Sequence, residues 1–133
     1  MGTVGAKLLS PDGKIRHAGV YIAVKDGKCA ECADIINGQG EEMSHASMVA
    51  SNSVEFMALR RADFWIAGGF NEKYKTRFED VELNVKLLNL GKANICDCST
   101  SAVIEETRAL KPDVDDQYRI RHFIEECGKI DCG

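Results

Sequence analysis

Residues 68–91, GGFNEKYKTRFEDVELNVKLLNLG, constrain the fold more than any other stretch of the chain. A glycine turn leads to the acid pair Glu79-Asp80 and then to a run with helical periodicity. Phe78, Val81, Val85 and Leu88 recur at helical spacing, and Leu83, Leu87 and Leu90 form a second row beside them. Two adjacent apolar rows predict a helix buried on more than one side, with other elements packed around it. Gly91 supplies a left-handed C-terminal stop. Glu79 and Asp80 fall in the first turn, where free N–H groups and the helix dipole favour carboxylates. Such a pair is either helix-end decoration or a base held rigidly at the lip of a cleft.

The rest of the chain reads as short elements around that helix. VGAKLL at residues 4–9 is a strand. Ser10-Pro11-Asp12-Gly13 is a tight turn: Pro sets φ, Asp bonds locally and Gly accepts positive φ. Residues 14–24, KIRHAGVYIAV, return as a second strand or extended arm. Residues 25–43 hold Gly27, Gly38, Gly40 and a cysteine pair, and are expected to be a surface loop. VEFMAL at 54–59 is expected to be a buried strand with Glu55 turned to solvent. Residues 62–67 form a short helical piece. KANIC at 92–96 and SAVIE at 101–105 are two strand candidates. Asp115-Asp116 open a last helix with Tyr118, Phe123 and Ile124 inward and Arg119, Arg121 and Glu126 in water. This order of strands and helices predicts an α/β or α+β class, with residues 1–133 as one domain.

The net charge of −4 gives no basic field, which argues against nucleic-acid partners. No apolar run approaches the ~20 residues needed to span a bilayer. The first residues, MGTVGAKLLSPDGK, lack a secretory core, so a cytoplasmic protein with reduced thiols is expected. Cys29, Cys32, Cys96 and Cys98 form a conceivable zinc set, but only the first pair has knuckle spacing, so no metal ligand is assigned. Cys96 is expected to be buried. His45 and His122 join no nucleophile–base constellation.

Three blocks resemble the inverting glycosyltransferases of the GT-A fold (family-two type), which use nucleotide sugars. VGAKLLSPDGKIRHAGV is similar to the segment following that family's nucleotide-binding half. ALRRADFWIAGGFNEKY resembles its lirR-x-x-F-x-x-x-GGF-D/N-E stretch, and RFEDVELNVKLLNLGK its F-E-D-x-x-L-x-x-[RK]-x-x-x-x-G stretch. The blocks stand in the family's order from residue 4 to about 92.

The resemblance implies the C-terminal, acceptor-side half of a GT-A transferase-like fold, a mixed sheet with flanking helices. It makes Asp80 the base that takes the acceptor hydroxyl's proton, with Glu79 orienting the acceptor or Asp80 itself. Gly68, Gly69 and Phe70 become a close-approach loop and aromatic wall beside the sugar. His17 is placed near the acceptor or as a structural strand histidine, and Trp65 as a sugar-stacking ring or a core residue. The implied partners are a nucleotide sugar and a glycan acceptor, with a peripheral membrane association left open. A divalent cation, Mg or Mn, is expected only in a complete enzyme. A half-fold exposes strand edges, so a homo-oligomer is expected. In the family an Asp-x-Asp stands in the half preceding this segment; here Asp113-Val114-Asp115 comes late. Val54-Glu55 replace a small Gly-Ala pair, and Glu105 stands where a metal-holding histidine is common. Two readings therefore stand: part of a glycosyltransferase, or a non-catalytic glycan- or protein-binding remnant of that fold.

Overall fold

The structure, a computed structural model, describes residues 1–25, 28–34, 45–105 and 113–127. Its elements are β1 (Val4–Leu9), β2 (Ile15–His17), β3 (Val20–Lys25), β4 (Lys28–Asp34), β5 (Ala46–Val49), β6 (Met57–Ala58), α1 (Arg61–Ile66), α2 (Glu79–Asn89), β7 (Asn94–Val103) and α3 (Val114–Glu126). The main sheet runs β2-β1-β7-β5, with β6 also paired to β1. β1 and β7 are parallel and the other pairs antiparallel, so the sheet is mixed. β3 and β4 form a separate antiparallel ribbon. The mixed α/β class read from the sequence is the class observed.

The turn between β1 and β2 forms as its chemistry dictates. Gly13 N–H donates to the Ser10 carbonyl at 2.8 Å, Asp12 accepts from the Lys14 N–H at 3.0 Å, and Gly13 has φ +85°. The returning run is broken in two at Gly19, where φ is +108° and an added Cβ would overlap Val49. There the chain leaves the main sheet and enters the β3–β4 ribbon.

α2 is buried on two faces, as its two apolar rows require. Phe78, Val81 and Val85 pack with Val20, Ile22, Tyr74, Ile120 and Ile124. Leu83 and Leu87 pack with Ala67, flanked by Met57, Leu59 and Phe64. Leu90 departs from its row and is exposed. Gly91 has φ +84°, and the Lys92 N–H returns to the Leu87 carbonyl at 3.0 Å, closing the helix end.

Four expectations are corrected. Part of the expected 25–43 loop is strand β4, paired with β3 from Val20↔Asp34 to Lys25↔Lys28. KCAECAD has weak strand propensity, so its neighbour's hydrogen-bonding edge decides its conformation. Residues 26–27 and 35–44 lie outside the described residues. Of residues 54–59 only Met57–Ala58 is strand. Val54 and Glu55 lie in a turn, with the Glu55 N–H donating to Ser53 Oγ at 3.2 Å. The 92–96 and 101–105 candidates are one strand, β7, with a register jump between Ala6↔Asp97 and Lys7↔Ser101. Asp97 caps that irregularity by accepting from the Ser99 N–H and hydroxyl. In α3, Asp116, Ile120 and Ile124 share the buried face. Tyr118 lies off that row, is 73% exposed and stacks on His122. Arg119 is half-buried rather than in water, its guanidinium 6.0 Å from the Tyr74 ring centre.

One buried ion pair ties α1 to the end of α2. Asp63 is 4% exposed and its Oδ1 lies 3.2 Å from Lys92 Nζ. Its Oδ2 has no hydrogen-bond partner among the described residues. Lys92→Met is therefore expected to strand a buried carboxylate and cost about 2 kcal/mol in urea denaturation, less than a fully enclosed pair because Lys92 is partly solvated. Among the described residues no helix is long and apolar enough to cross a membrane.

Candidate functional site

The first turn of α2 is set by Phe78, a non-glycine residue at φ +81°, ψ 0°. That left-handed conformation costs an L-residue roughly 1–2 kcal/mol. It persists because the ring is 8% exposed within the core, with the Arg77 guanidinium 5.5 Å from its centre. The preceding segment is held from α3. Asp116, fully buried, accepts from the N–H groups of Lys75, Thr76 and Arg77 and from the Thr76 hydroxyl. The start of α2 is thus fixed on both sides of the acid pair.

Asp80 is half-buried at that start. Its Oδ2 accepts from the Val54 N–H at 3.0 Å and its Oδ1 from the Val81 N–H at 2.8 Å. Its carbonyl accepts from Asn84 Nδ2 at 2.7 Å. Burial pushes the Asp80 carboxyl above the ordinary carboxylate range; the Val54 N–H opposes this, the Glu79 charge adds to it, and the Val81 N–H and His17 oppose it. His17, 7% exposed at the end of β2, therefore lies close enough to act on the Asp80 charge. Glu79 is half-buried beside it. The exposed Phe56 ring is carried by the turn that donates to Asp80.

A second feature lies along α1 and the glycine turn, an open groove of about 740 Å³. Phe64, Trp65 and Phe70 form its aromatic side. The Gly68-Gly69 turn and residues 71–73 complete it. Both glycines have positive φ, +88° and +70°. Phe64 stands edge-on to Trp65 and to Phe70, with ring centres 5.4 and 5.3 Å apart. Trp65 is 65% exposed and Phe70 37%, so Trp65 is not a core residue. The groove wall is fastened to α2 through Glu82, which is 4% exposed. Glu82 Oε1 accepts from Asn71 Nδ2 at 3.3 Å and from the Tyr74 hydroxyl at 3.1 Å, and Lys86 Nζ lies 3.5 Å from Oε2.

The residues singled out in the sequence thus form two groups. Gly68, Gly69, Phe70 and Trp65 share the groove; Asp80, Glu79 and His17 gather at the start of α2 and are not among its lining residues. The sequence reading missed Asn71, Tyr74, Glu82 and Asp116. Only Asp116 carried a local signal, its place in the first turn of α3.

Among the described residues no three His, Cys, Asp or Glu side chains are grouped to hold a metal ion. Cys96 and Cys98 are buried with sulfurs 3.7 Å apart. Burial, reinforced by Cys98, pushes the Cys96 thiol up to about 12, which disfavours thiolate chemistry there. The side chains of Cys29 and Cys32 lie outside the described residues. Glu105 is exposed just beyond β7.

The chain is similar to the O-antigen biosynthesis protein RfbC of Myxococcus xanthus, 28% identical over 117 residues, covering 85% of this chain and 9% of that protein. It is also similar to the uncharacterized protein y4gI of Sinorhizobium fredii (strain NBRC 101917 / NGR234), 31% identical over 102 residues, covering 71% of this chain and 11% of that protein. The chain spans about a tenth of the length of these curated relatives. No family model matches, and no solved structure matches.

Proposed function

We propose that this chain is the acceptor-side part of a GT-A-type glycosyltransferase, with Asp80 as general base. In this reading the Asp80 carboxylate takes the proton of an acceptor hydroxyl. The hydroxyl oxygen then bonds to the anomeric carbon of a nucleotide sugar while the bond from that carbon to the nucleotide phosphate breaks. The nucleotide leaves as the anion, and the sugar configuration inverts. Glu79 orients the acceptor or Asp80, and His17 tempers the charge of the pair. The donor and any divalent cation are held by a nucleotide-binding half outside this segment; no residue of this chain is assigned to the cation.

The observation that carries the reading is Asp80 itself: a half-buried carboxylate on a helix start fixed from both sides, its affinity for a proton raised by burial. A raised pKa makes a carboxylate a stronger base near neutral pH. The likeness to an O-antigen biosynthesis protein supports a sugar-related role.

The test is transfer from nucleotide sugars, with Mn²⁺, by the natural protein that contains this segment. Asp80→Asn is expected to lower turnover about 10²-fold or more while the protein stays folded, at a cost of about 1–2 kcal/mol because the new amide nitrogen faces one of the two N–H donors. The rate should rise with pH as the Asp80 carboxyl ionises, and the variant should lose that limb. Turnover unaffected by Asp80→Asn would overturn the assignment. A second reading, a non-catalytic glycan-binding module, is favoured by a groove whose lining includes neither Glu79 nor Asp80. Glycan binding by this segment, with no heat on titrating any nucleotide sugar into the natural protein, selects it.

A further inference from the structure

We propose that the outward side of α1, with the glycine turn that follows it, is a docking surface for an anionic phospholipid membrane. The inference goes beyond the transfer reading and stands whether or not Asp80 is a base.

α1 buries Asp63 and Ala67 and half-buries Phe64, so helical spacing pairs Arg61 with Trp65, and Ala62 with Ile66, on its other side. Trp65 and Ile66 are each 65% exposed, and Phe70 adds part of its ring from just beyond the glycine turn. The fold thus leaves three large apolar groups in water along one short stretch of chain. Edge-on contact with Phe64 holds the Trp65 and Phe70 rings, so little side-chain freedom remains to be lost on docking.

Cations frame these groups. Arg60, Arg61 and Lys73 are exposed, and their side chains have no partner among the described residues. α1 itself does not account for the arginines. A helix start favours acids, and Arg60 at the N-cap makes no side-chain capping bond. From residue 60 to residue 73 the exposed charges are those three cations and Glu72, a local positive excess in a chain of net charge −4. Lys73 stands with Trp65 and Phe70 around one groove, and its segment is held in place by Asn71, which is tied to Glu82.

Anionic headgroups over an acyl boundary complement both features. An indole ring, apolar in body and polar at its N–H, suits that boundary, and arginine lays its stem on apolar surface while its guanidinium meets a phosphate. A soluble polyanion would satisfy the cations and leave Trp65 and Ile66 in water. No helix among the described residues is long and apolar enough to cross a bilayer, so this contact is with the membrane surface.

The test is co-sedimentation of the natural protein containing this segment with phosphatidylglycerol–phosphatidylcholine vesicles and with phosphatidylcholine vesicles. Expected is saturable binding to the anionic vesicles, about tenfold or more tighter than to the neutral ones. The double variant Trp65→Ser, Ile66→Ser weakens it about tenfold or more. Arg60→Gln, Arg61→Gln and Lys73→Gln each weaken it roughly fivefold, and Glu72→Gln tightens it by up to about fivefold, because that acid repels the surface. Tyr118→Ser, which removes an equally exposed ring from α3, leaves it unchanged. All these side chains are exposed, so the urea midpoints stay close to wild type. No binding to anionic vesicles overturns the proposal, as does binding that the Trp65→Ser, Ile66→Ser variant keeps in full. If the arginine variants weaken binding while that double variant does not, the surface meets a soluble polyanion instead. Equal binding to neutral vesicles overturns the anionic lipid.

Discussion

Asp116→Ala is expected to destabilise the protein by about 4 kcal/mol, measured as a shift in urea midpoint at constant slope. One carboxylate serves four donors: the Lys75 N–H at 2.9 Å, the Thr76 N–H at 2.7 Å and hydroxyl at 2.9 Å, and the Arg77 N–H at 3.2 Å. Removing it leaves three backbone N–H groups beneath α3 without their acceptor, and each buried unmet donor costs on the order of 1–3 kcal/mol. Asp116→Asn recovers only part of this, because its amide nitrogen would face donors. The effect should depend on pH with a definite sign. Burial alone would raise the Asp116 carboxyl, but the donors from Lys75, Thr76 and Arg77 outweigh it and hold the carboxyl below the ordinary range. A carboxyl that is more acidic in the folded state contributes stability above the unfolded value of about 4 and loses it as pH falls through the folded value. Wild type and Asp116→Ala should therefore converge in stability on acidification. A constant gap down to low pH would show that the side chain acts through packing instead. Because the same segment delivers Phe78 and the start of α2, the variant should also loosen the acid pair.

What could be read from the sequence was whatever is decided locally. The two apolar rows of α2, the Gly91 stop and the residue 10–13 turn need no distant partner. β4 needed one: nothing in KCAECAD signals a strand until β3 lies beside it. Asp116 looked like a helix-start acid, yet its partners lie up to 41 residues earlier in the chain. Tyr118 illustrates a different failure: its residue type argues for burial, but on a helix rotated by its anchor, what packs nearby decides. The motif residues were legible as a set, while their division between a groove and a helix start depends on where α1 lies against α2. Val54, read as strand, proved to be the donor to Asp80. That contact across 26 residues cannot be inferred from spacing.

Asn84→Leu is expected to cost about 4 kcal/mol, although leucine has the same branching and number of side-chain heavy atoms as asparagine and Val81, Leu83, Val85 and Leu87 around it are apolar. Asn84 is fully buried. Its Oδ1 accepts from the Thr3 hydroxyl at 2.5 Å and from the Asn52 N–H at 3.3 Å, and its Nδ2 donates to the Asp80 carbonyl at 2.7 Å. Its own carbonyl accepts from Asn94 Nδ2 at 2.9 Å, and Asn94 Oδ1 accepts from the Thr3 N–H at 3.0 Å. Asn52 Nδ2 closes the circuit by donating to Thr3 Oγ1 and the Ile95 carbonyl, both at 2.9 Å. The Asn84 amide thus joins the approach to β1, the segment after β5 and the turn bearing Asp80, and its backbone carbonyl adds the start of β7. Leucine would leave the Thr3 hydroxyl and the Asn52 N–H buried without their acceptor, a larger loss than the added apolar contact returns. Asn84→Asp should be worse near neutral pH, since a buried carboxylate would face the Asp80 carbonyl, and should partly recover on acidification. A double-mutant cycle with Thr3→Val should show coupling of about 1 kcal/mol or more, because the second change removes a group already stranded by the first. Additive effects, or an Asn84→Leu cost below about 1 kcal/mol, would mean that apolar packing alone aligns α2 with the sheet. The polar circuit would then not be what holds Asp80 in place.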